Sequence, residues 1–235
     1  MKKPDFTLIL PCYNEGPTFE KSVTKIISSL RGRSYRILFV EDGSDDETKI
    51  KVENLTKKIR HADAIYHGVN MGRGRSVADG IRASKTDICG FMDVDCEVSP
   101  TYIPLFVKEI NSGADIAVGK RFYEKKWKSF GRVLSSELYR AIVKTLIKLP
   151  VDDTEAGYKF FNRSKILKVL KKVYDEGWFW DTEICARSHA AGLKLSQIPV
   201  LFIKRYEKKS TVKLIPDSIE YLIKLMNFKS QLKHL

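Results

Sequence analysis

No stretch of eighteen apolar residues occurs in the 235-residue chain, so the sequence offers no helix able to span a bilayer. Its first residues, Met1-Lys2-Lys3-Pro4-Asp5, enter a short apolar segment without the small-residue cleavage site of an export signal, which points to a cytosolic protein. Cysteine is scarce. Cys12, Cys89, Cys96 and Cys185 lie far apart, none in a Cys-x-x-Cys pair, and three of them fall within apolar runs. That pattern predicts buried free thiols, argues against a disulfide framework or a zinc site, and suits a reducing compartment. Internal repeats, low-complexity tracts and linkers are also lacking, which predicts one continuous domain over residues 1–235. The 43% hydrophobic share is enough to bury a substantial core.

Positive charge is abundant and unevenly placed. Residues 120–148 carry nine Lys or Arg against Glu124 and Glu137, a balance of +7, and residues 204–235 carry eight against three, a balance of +5. Two segments of the second half therefore hold nearly all of the formal +13, which suits an anionic surface such as a phospholipid membrane. A solvated surface kept soluble by its charge is the plainer alternative.

Phe6 to Pro11 is an apolar run bounded by turn residues, as expected of a strand covered on both faces. Phe19, Val23, Ile26, Ile27 and Leu30 then recur at helical spacing, Tyr35 to Val40 reads as a second strand, and residues 46–60 form a charged helix with Ile50, Leu55 and Ile59 inward. A strand over Ala64 to Tyr66, a helix over 75–84 and a strand over Ile88 to Val94 follow. Beyond residue 113 come a strand (115–118), a basic loop, a helix near 131–148 and a strand near 158–161. Helices near 164–173 and 182–191 and a strand from Leu195 to Ile203 complete the pattern. Such alternation predicts an α/β fold with a doubly wound, mostly parallel sheet, whose ligands bind where strands end.

At the exit of the strand ending near Val94, Asp93 and Asp95 flank Val94. Residues i and i+2 of a strand face one side, so these carboxylates can converge on Mg²⁺ or Mn²⁺, with Glu97 continuing the spacing. A solvated acidic turn is the other reading. At the second strand's exit stands Glu41-Asp42-Gly43-Ser44-Asp45-Asp46. There Asp45 and Asp46 read as helix-capping residues, whereas Asp42 is placed to accept hydrogen bonds from a base or ribose. The first strand leads into Pro11-Cys12-Tyr13-Asn14-Glu15, with no GxGxxG fingerprint of a dinucleotide site. Glycines come instead in Gly68-Val69-Asn70-Met71-Gly72-Arg73-Gly74, where they allow close backbone approach to a ligand, with Arg73 and Arg75 available for phosphate. The same loop is equally compatible with a tight turn.

Taken together, the segments PCYNE, VEDGSDDET, NMGRGRSVADG and DVD resemble, in order and spacing, those of glycosyltransferase family 2, in its dolichyl-phosphate mannose or glucose synthase branch. The resemblance covers about residues 5–210 and extends to Gly119-Lys120-Arg121, to Asp153-Thr154-Glu155-Ala156-Gly157-Tyr158-Lys159, and to Trp180-Asp181-Thr182-Glu183 followed by Gln197-Ile198-Pro199-Val200. It implies a GT-A fold, with a nucleotide-sugar half over residues 1–97 and an acceptor half over 98–235. It places Pro11, Tyr13, Glu15, Asp42, Asn70, Gly72 and Asp93 at the nucleotide, Asp93, Asp95 and Glu97 at the metal, and Arg121, Arg132 and Arg205 at the phosphates. Three departures stand out: Glu97 replaces the usual Gln, Lys120 replaces the Ser of GSR, and no glycine precedes Ser210.

The resemblance implies an inverting transfer of hexose from GDP-mannose or UDP-glucose to polyprenyl or dolichyl phosphate, at the cytoplasmic face of an anionic membrane. Metal and cationic side chains would neutralise the departing nucleoside diphosphate. A lipid phosphate is already ionised, so only a hydroxyl acceptor on a glycan or lipid needs a general base. Asp181 is the candidate for that base, or else an N-cap of the helix beginning near Thr182. The helix near 131–148 and the C-terminal stretch, with Ile215, Ile219, Leu222, Ile223 and Met226, either lie in a bilayer interface or pack on the sheet. Nucleic acid is not an expected partner, because an acidic strand exit repels a phosphate backbone. Nor is a sugar nucleotidyltransferase expected, for PCYNE is not the glycine-rich, arginine-bearing loop such an enzyme needs.

Overall fold

The structure is a computed structural model that describes residues 4–123, 143, 145–204 and 214–232, the last with side chains over 220–230. Arg132, Arg205 and most of the basic helix expected near 131–148 lie outside the described residues.

Seven strands form one sheet: β1 (Phe6–Cys12), β2 (Tyr35–Glu41), β3 (Ala62–Tyr66), β4 (Ile88–Met92), β5 (Ile116–Tyr123), β6 (Tyr158–Asn162) and β7 (Leu195–Phe202). Their order is β3-β2-β1-β4-β6-β5-β7. β1 pairs in parallel with β2 and β4, β2 with β3, and β5 with β7, whereas β6 is antiparallel to both β4 and β5. Six strands consequently point the same way, and their C-terminal ends share one edge. The helices are α1 (Phe19–Ser29), α2 (Thr48–Lys58), α3 (Arg73–Ala83), α4 (Ile103–Asn111), α5 (Arg163–Leu170), α6 (Trp180–Ala190) and α7 (Leu214–Leu232).

Alternation along the strands divides the core into two layers. Leu8, Leu10, Ile37, Phe39 and Met92 face Phe19, Val23 and Ile26 of α1, Val52 and Leu55 of α2, and Ile103, Phe106 and Ile110 of α4. Ile9, Leu38, Val40, Cys89 and Phe91 face Val77 and Ile81 of α3, Ile166 and Leu170 of α5, Trp180 and Ile184 of α6, and Tyr221, Leu225 and Phe228 of α7. All four cysteines are free and buried, as their apolar neighbours predict. Burial pushes the Cys89 and Cys185 thiols up to about 12, so neither is a reactive thiolate.

The C-terminal stretch packs through one face, with Tyr221, Leu225 and Phe228 buried while Leu222, Ile223 and Met226 remain exposed. Ile50 is 60% exposed rather than inward. At 100° per residue it stands about 200° from Val52, so a helix that buries Val52 must turn Ile50 to water. The helix α4, unforeseen in the sequence, follows a 3-10 turn over Pro100–Tyr102, at whose start Ser99 Oγ accepts from Thr101 N at 3.4 Å.

Candidate active site

The shared C-terminal edge gathers residues 12–16, 41–48, 67–73, 93–97 and 119–123. The loops after β1 and β2 are braided. Asn14, in the left-handed region at φ 49°, donates its backbone N–H to Ser44 Oγ at 3.1 Å and accepts from Asp45 N at 2.9 Å. Thr48 Oγ1 accepts from Glu15 N at 2.8 Å, and Asp46 accepts from Gly16 N and Thr48 N. Asp46 is thus the residue that closes the start of α2, while Tyr13 N turns onto Glu15 Oε1 at 3.3 Å. Pro11 lies buried within β1, beside Val40.

Asp42 is buried, and its carboxylate shapes the next loop: Oδ1 meets His67 Nδ1 at 2.6 Å and Met71 N at 3.0 Å, and Oδ2 accepts from Gly72 N at 2.9 Å. Asn70 is exposed beside this anchor. Three of the four lone-pair positions of the carboxylate are occupied by protein. The neighbouring Glu41 is different. It is fully buried, and Oε1 accepts from Ser44 N at 2.7 Å, yet Oε2 has no hydrogen-bond partner. A buried carboxylate oxygen left unpaired costs about 1–3 kcal/mol, which a ligand donor would recover. Sequence reasoning chose Asp42 because it stands where the strand ends, and gave Glu41 no role.

The glycine loop approaches protein. Gly72, at φ 100°, is in a conformation that L side chains rarely adopt, and a Cβ there would overlap the Glu176 carbonyl. The two arginines expected to be open to phosphate are both engaged by carboxylates, one partner of each coming from about a hundred residues later in the chain. Arg75 pairs with Asp79 at 2.7 Å and Glu176 at 2.7 Å. Arg73 gives Nε and Nη2 to Asp93 Oδ1 at 2.9 and 2.8 Å and Nη1 to Asp181 Oδ2, while its guanidinium lies 5.2 Å from the Phe91 ring and 5.3 Å from the Trp178 ring. Burial works against the Arg73 charge, but the Asp181 and Asp93 carboxylates outweigh it and push its pKa up.

Asp181 is almost fully buried in the first turn of α6, so it is not the cap of a helix starting later. Its Oδ1 meets Nζ of the fully buried Lys159, which also donates to Ala156 O at 2.6 Å. Two carboxylates and two cations therefore balance: Asp93, Arg73, Asp181 and Lys159 join the turn after β4 to α3, α6 and β6. Gly157 leaves room for this arrangement, since a Cβ there would overlap Asp93 Oδ2 and come within 2.7 Å of Arg73 Nη2.

β4 ends at Met92, two residues earlier than the sequence suggested, so Asp93 and Asp95 lie in the turn beyond it and not on alternate strand positions. Their carboxylates consequently do not converge with Glu97, and no group of three His, Cys, Asp or Glu side chains is placed to hold a metal among the described residues. Asp93 goes to Arg73, while Asp95 accepts from Glu97 N at 3.1 Å. Burial, then the nearby Asp93, Glu97 and Glu15 carboxylates, push Asp95 up to about 7. Asp95 and its acidic neighbours supply the hard oxygens and negative charge that a divalent cation completed by substrate phosphates would take, although fewer than three of them gather at one point.

On the other side of the cleft Arg121 sets its fork on Asp153, with Nε to Oδ2 and Nη2 to Oδ1 both at 2.8 Å. Burial opposes its charge and Asp153 overrides it, raising its pKa. Lys120, at the position of the departed Ser, pairs with Asp152 at 2.6 Å.

The pattern described as Glycosyl transferase family 2 matches residues 7–170. The chain is 28% identical over 207 residues, 83% of its length, to glycosyltransferase AglD of Haloferax volcanii, of which it covers 32%. It is 26% identical over 208 residues to a dolichyl-phosphate beta-glucosyltransferase of Trichomonas vaginalis, covering 83% of this chain and 64% of that protein. Against a dolichol-phosphate mannosyltransferase of Pyrococcus furiosus it is 26% identical over 236 residues, covering 96% and 65%. The chain thus spans from about a third to just under two thirds of these relatives. The crystal structure of glucosyl-3-phosphoglycerate synthase from Mycobacterium tuberculosis, with Mn²⁺, uridine diphosphate and glucosyl-3-phosphoglycerate, superposes with a TM-score of 0.73 at 20% identity, over 95% of this chain and 79% of that one. This likeness identifies the mostly parallel seven-stranded sheet as a GT-A fold. With a family pattern running from β1 into α5, the chain belongs to glycosyltransferase family 2.

Proposed function

We propose that this chain transfers a hexose from GDP-mannose or UDP-glucose to a polyprenyl or dolichyl phosphate, with inversion at the anomeric carbon, at the cytoplasmic face of a membrane. The observation that carries the choice of acceptor is the environment of Asp181. A hydroxyl acceptor needs a general base at this side of the cleft, but Asp181 is buried with one oxygen on Arg73 and the other on Lys159. An acceptor that arrives ionised needs no base. Two relatives are named for transfer involving dolichyl or dolichol phosphate, which supports the same reading.

Asp95, with Glu97 and Asp93 beside it, would hold Mg²⁺ or Mn²⁺, which supplies positive charge to the leaving diphosphate. The protein's own residues do the rest. Glu41 Oε2 accepts an N–H of the base, Pro11, Tyr13 and Glu15 line the loop beside it, and the Asp42-anchored loop with Asn70 and Gly72 closes over the nucleotide. Arg121, preorganised on Asp153, is assigned to the phosphates, a role the family resemblance also gives to Arg132 and Arg205, which lie outside the described residues. The attacking phosphate oxygen forms the new bond to the anomeric carbon as the donor's bond to its diphosphate breaks on the opposite face.

The test is purified protein with Mn²⁺ or Mg²⁺, radiolabelled GDP-mannose or UDP-glucose, and either polyprenyl phosphate or free polyprenol. Labelled lipid is expected from the phosphate alone. Transfer to polyprenol or to a glycan hydroxyl, with none to polyprenyl phosphate, would overturn the reading.

A further inference from the structure

β5 and β7 pair over eight positions, from Ile116 opposite Leu195 to Tyr123 opposite Phe202, but β6 accompanies β5 only through residues 116–118. Residues 119–123 and 198–202 therefore project past β6 as a two-stranded ribbon. Because side chains alternate, its two faces differ. One carries Arg121, Tyr123, Val200 and Phe202, with the Tyr123 and Phe202 rings 5.2 Å apart and Arg121 on Asp153. The other carries Phe122 in register with Leu201, followed by Ile203, and these are 51%, 44% and 49% exposed. Three large apolar side chains side by side in water are a docking signature.

The position of the ribbon and the charge of the sequence that continues it indicate what docks there. Ile203 N donates to Glu97 O at 2.8 Å and Val98 bridges Phe202, so the apolar face is fastened to the turn that carries Asp95. The sequence leaving the ribbon is basic on both strands: Lys125, Lys126 and Lys128 against Glu124 after β5, and Lys204, Arg205, Lys208 and Lys209 against Glu207 after β7. So much like charge disfavours a second copy and favours an anionic surface. We infer that the Phe122–Leu201–Ile203 face inserts into the headgroup boundary of an anionic bilayer, setting the catalytic edge against the membrane. This rests on the lipid-acceptor reading for its purpose, but binding is measurable without turnover.

The full chain is sedimented with vesicles of phosphatidylcholine alone or of equal parts phosphatidylcholine and phosphatidylglycerol, at low and high salt. Parent protein should bind the anionic vesicles and keep a fraction bound at high salt, because apolar insertion is not screened. The double variant Leu201→Glu/Ile203→Glu should bind about tenfold less and lose the salt-resistant fraction. It should keep the parent melting temperature and its transfer to a short-chain, water-soluble polyprenyl phosphate. Should the charges disturb folding, Leu201→Ser/Ile203→Ser makes the same comparison. Equal binding by parent and variant would overturn the inference, as would a parent dimer that the variant dissolves or loss of transfer to the soluble acceptor. A protein that binds vesicles but uses no nucleotide sugar leaves the docking face standing and removes the proposed function. One that transfers sugar but ignores anionic vesicles does the reverse.

Discussion

Replacing Arg73 with Met tests the buried ion network most directly, because Met keeps much of the volume and removes the guanidinium. Asp93 then loses its contacts from Nε and Nη2, and Asp181 loses Nη1. The two carboxylates are unequal: the Asp93 side chain is 44% exposed and can turn to water, whereas that of Asp181 is 2% exposed and keeps only Lys159. Breaking a buried pair costs about 3–5 kcal/mol, and the retained Lys159 places this case near ~3 kcal/mol. For a chain of this length that corresponds to a melting temperature lower by about 6–12 °C. Urea unfolding followed by fluorescence measures the loss, and a double-mutant cycle with Asp181→Asn measures the coupling, expected at ~2 kcal/mol or more. A variant within about 0.5 kcal/mol of the parent, or an additive cycle, refutes the idea that Arg73 and Asp181 stabilise one another.

Gly157→Ala should cut turnover by ~10²-fold and lower the unfolding midpoint, because the added Cβ overlaps the Asp93 carboxylate and presses on Arg73; steady-state rates and a midpoint matching the parent would remove the steric argument. Asp95 has a folded-state pKa of about 7, above its unfolded value, so its contribution to stability is full below the unfolded pKa and is lost as pH rises through about 7. Without metal, Asp95→Asn should therefore melt higher than the parent at about pH 8, and Mn²⁺ should raise the parent's melting temperature more at about pH 8 than at about pH 6. The same variant should lose most activity, and full turnover in excess EDTA would count against a metal at Asp95. Glu41→Gln should weaken nucleotide binding about tenfold or more by calorimetry, since the amide presents a donor where the base presents one; unchanged affinity removes Glu41 from the site.

Much of the fold could be read from the sequence, because β1, β2 and β4 are apolar runs that must be buried on both faces. Strand exits followed directly, and they located the acidic and glycine loops. The reversal of β6 could not be read, since an apolar run carries no direction. The extension of β5 through Lys120 and Arg121 was mistaken for a loop because its charges are satisfied by Asp152 and Asp153, some thirty residues away. The site was legible in composition but not in pairing. Arg73 reads as a cation on a glycine loop, and only the folded chain brings Asp181, 108 residues later, against it. Lys159 was quoted within a motif and given no role, although a lysine inside a strand buried on both sides signals a buried counter-charge.

The short loop before α6 has a consequence for how substrates enter and leave. Glu176 accepts from Arg75 N at 3.0 Å and packs against Gly72, Asp175 accepts from Gly177 N and Trp180 N, and Lys224 of α7 reaches Asp175 at 2.7 Å. The glycine loop is thereby wired, through one turn, to the helix that ends the described chain. These parts cannot swing away from one another without breaking that wiring. Under the function proposed above, nucleotide exchange would fall to parts outside this wiring, and a disturbance at the far C-terminal helix should be felt first as altered nucleotide dwell time.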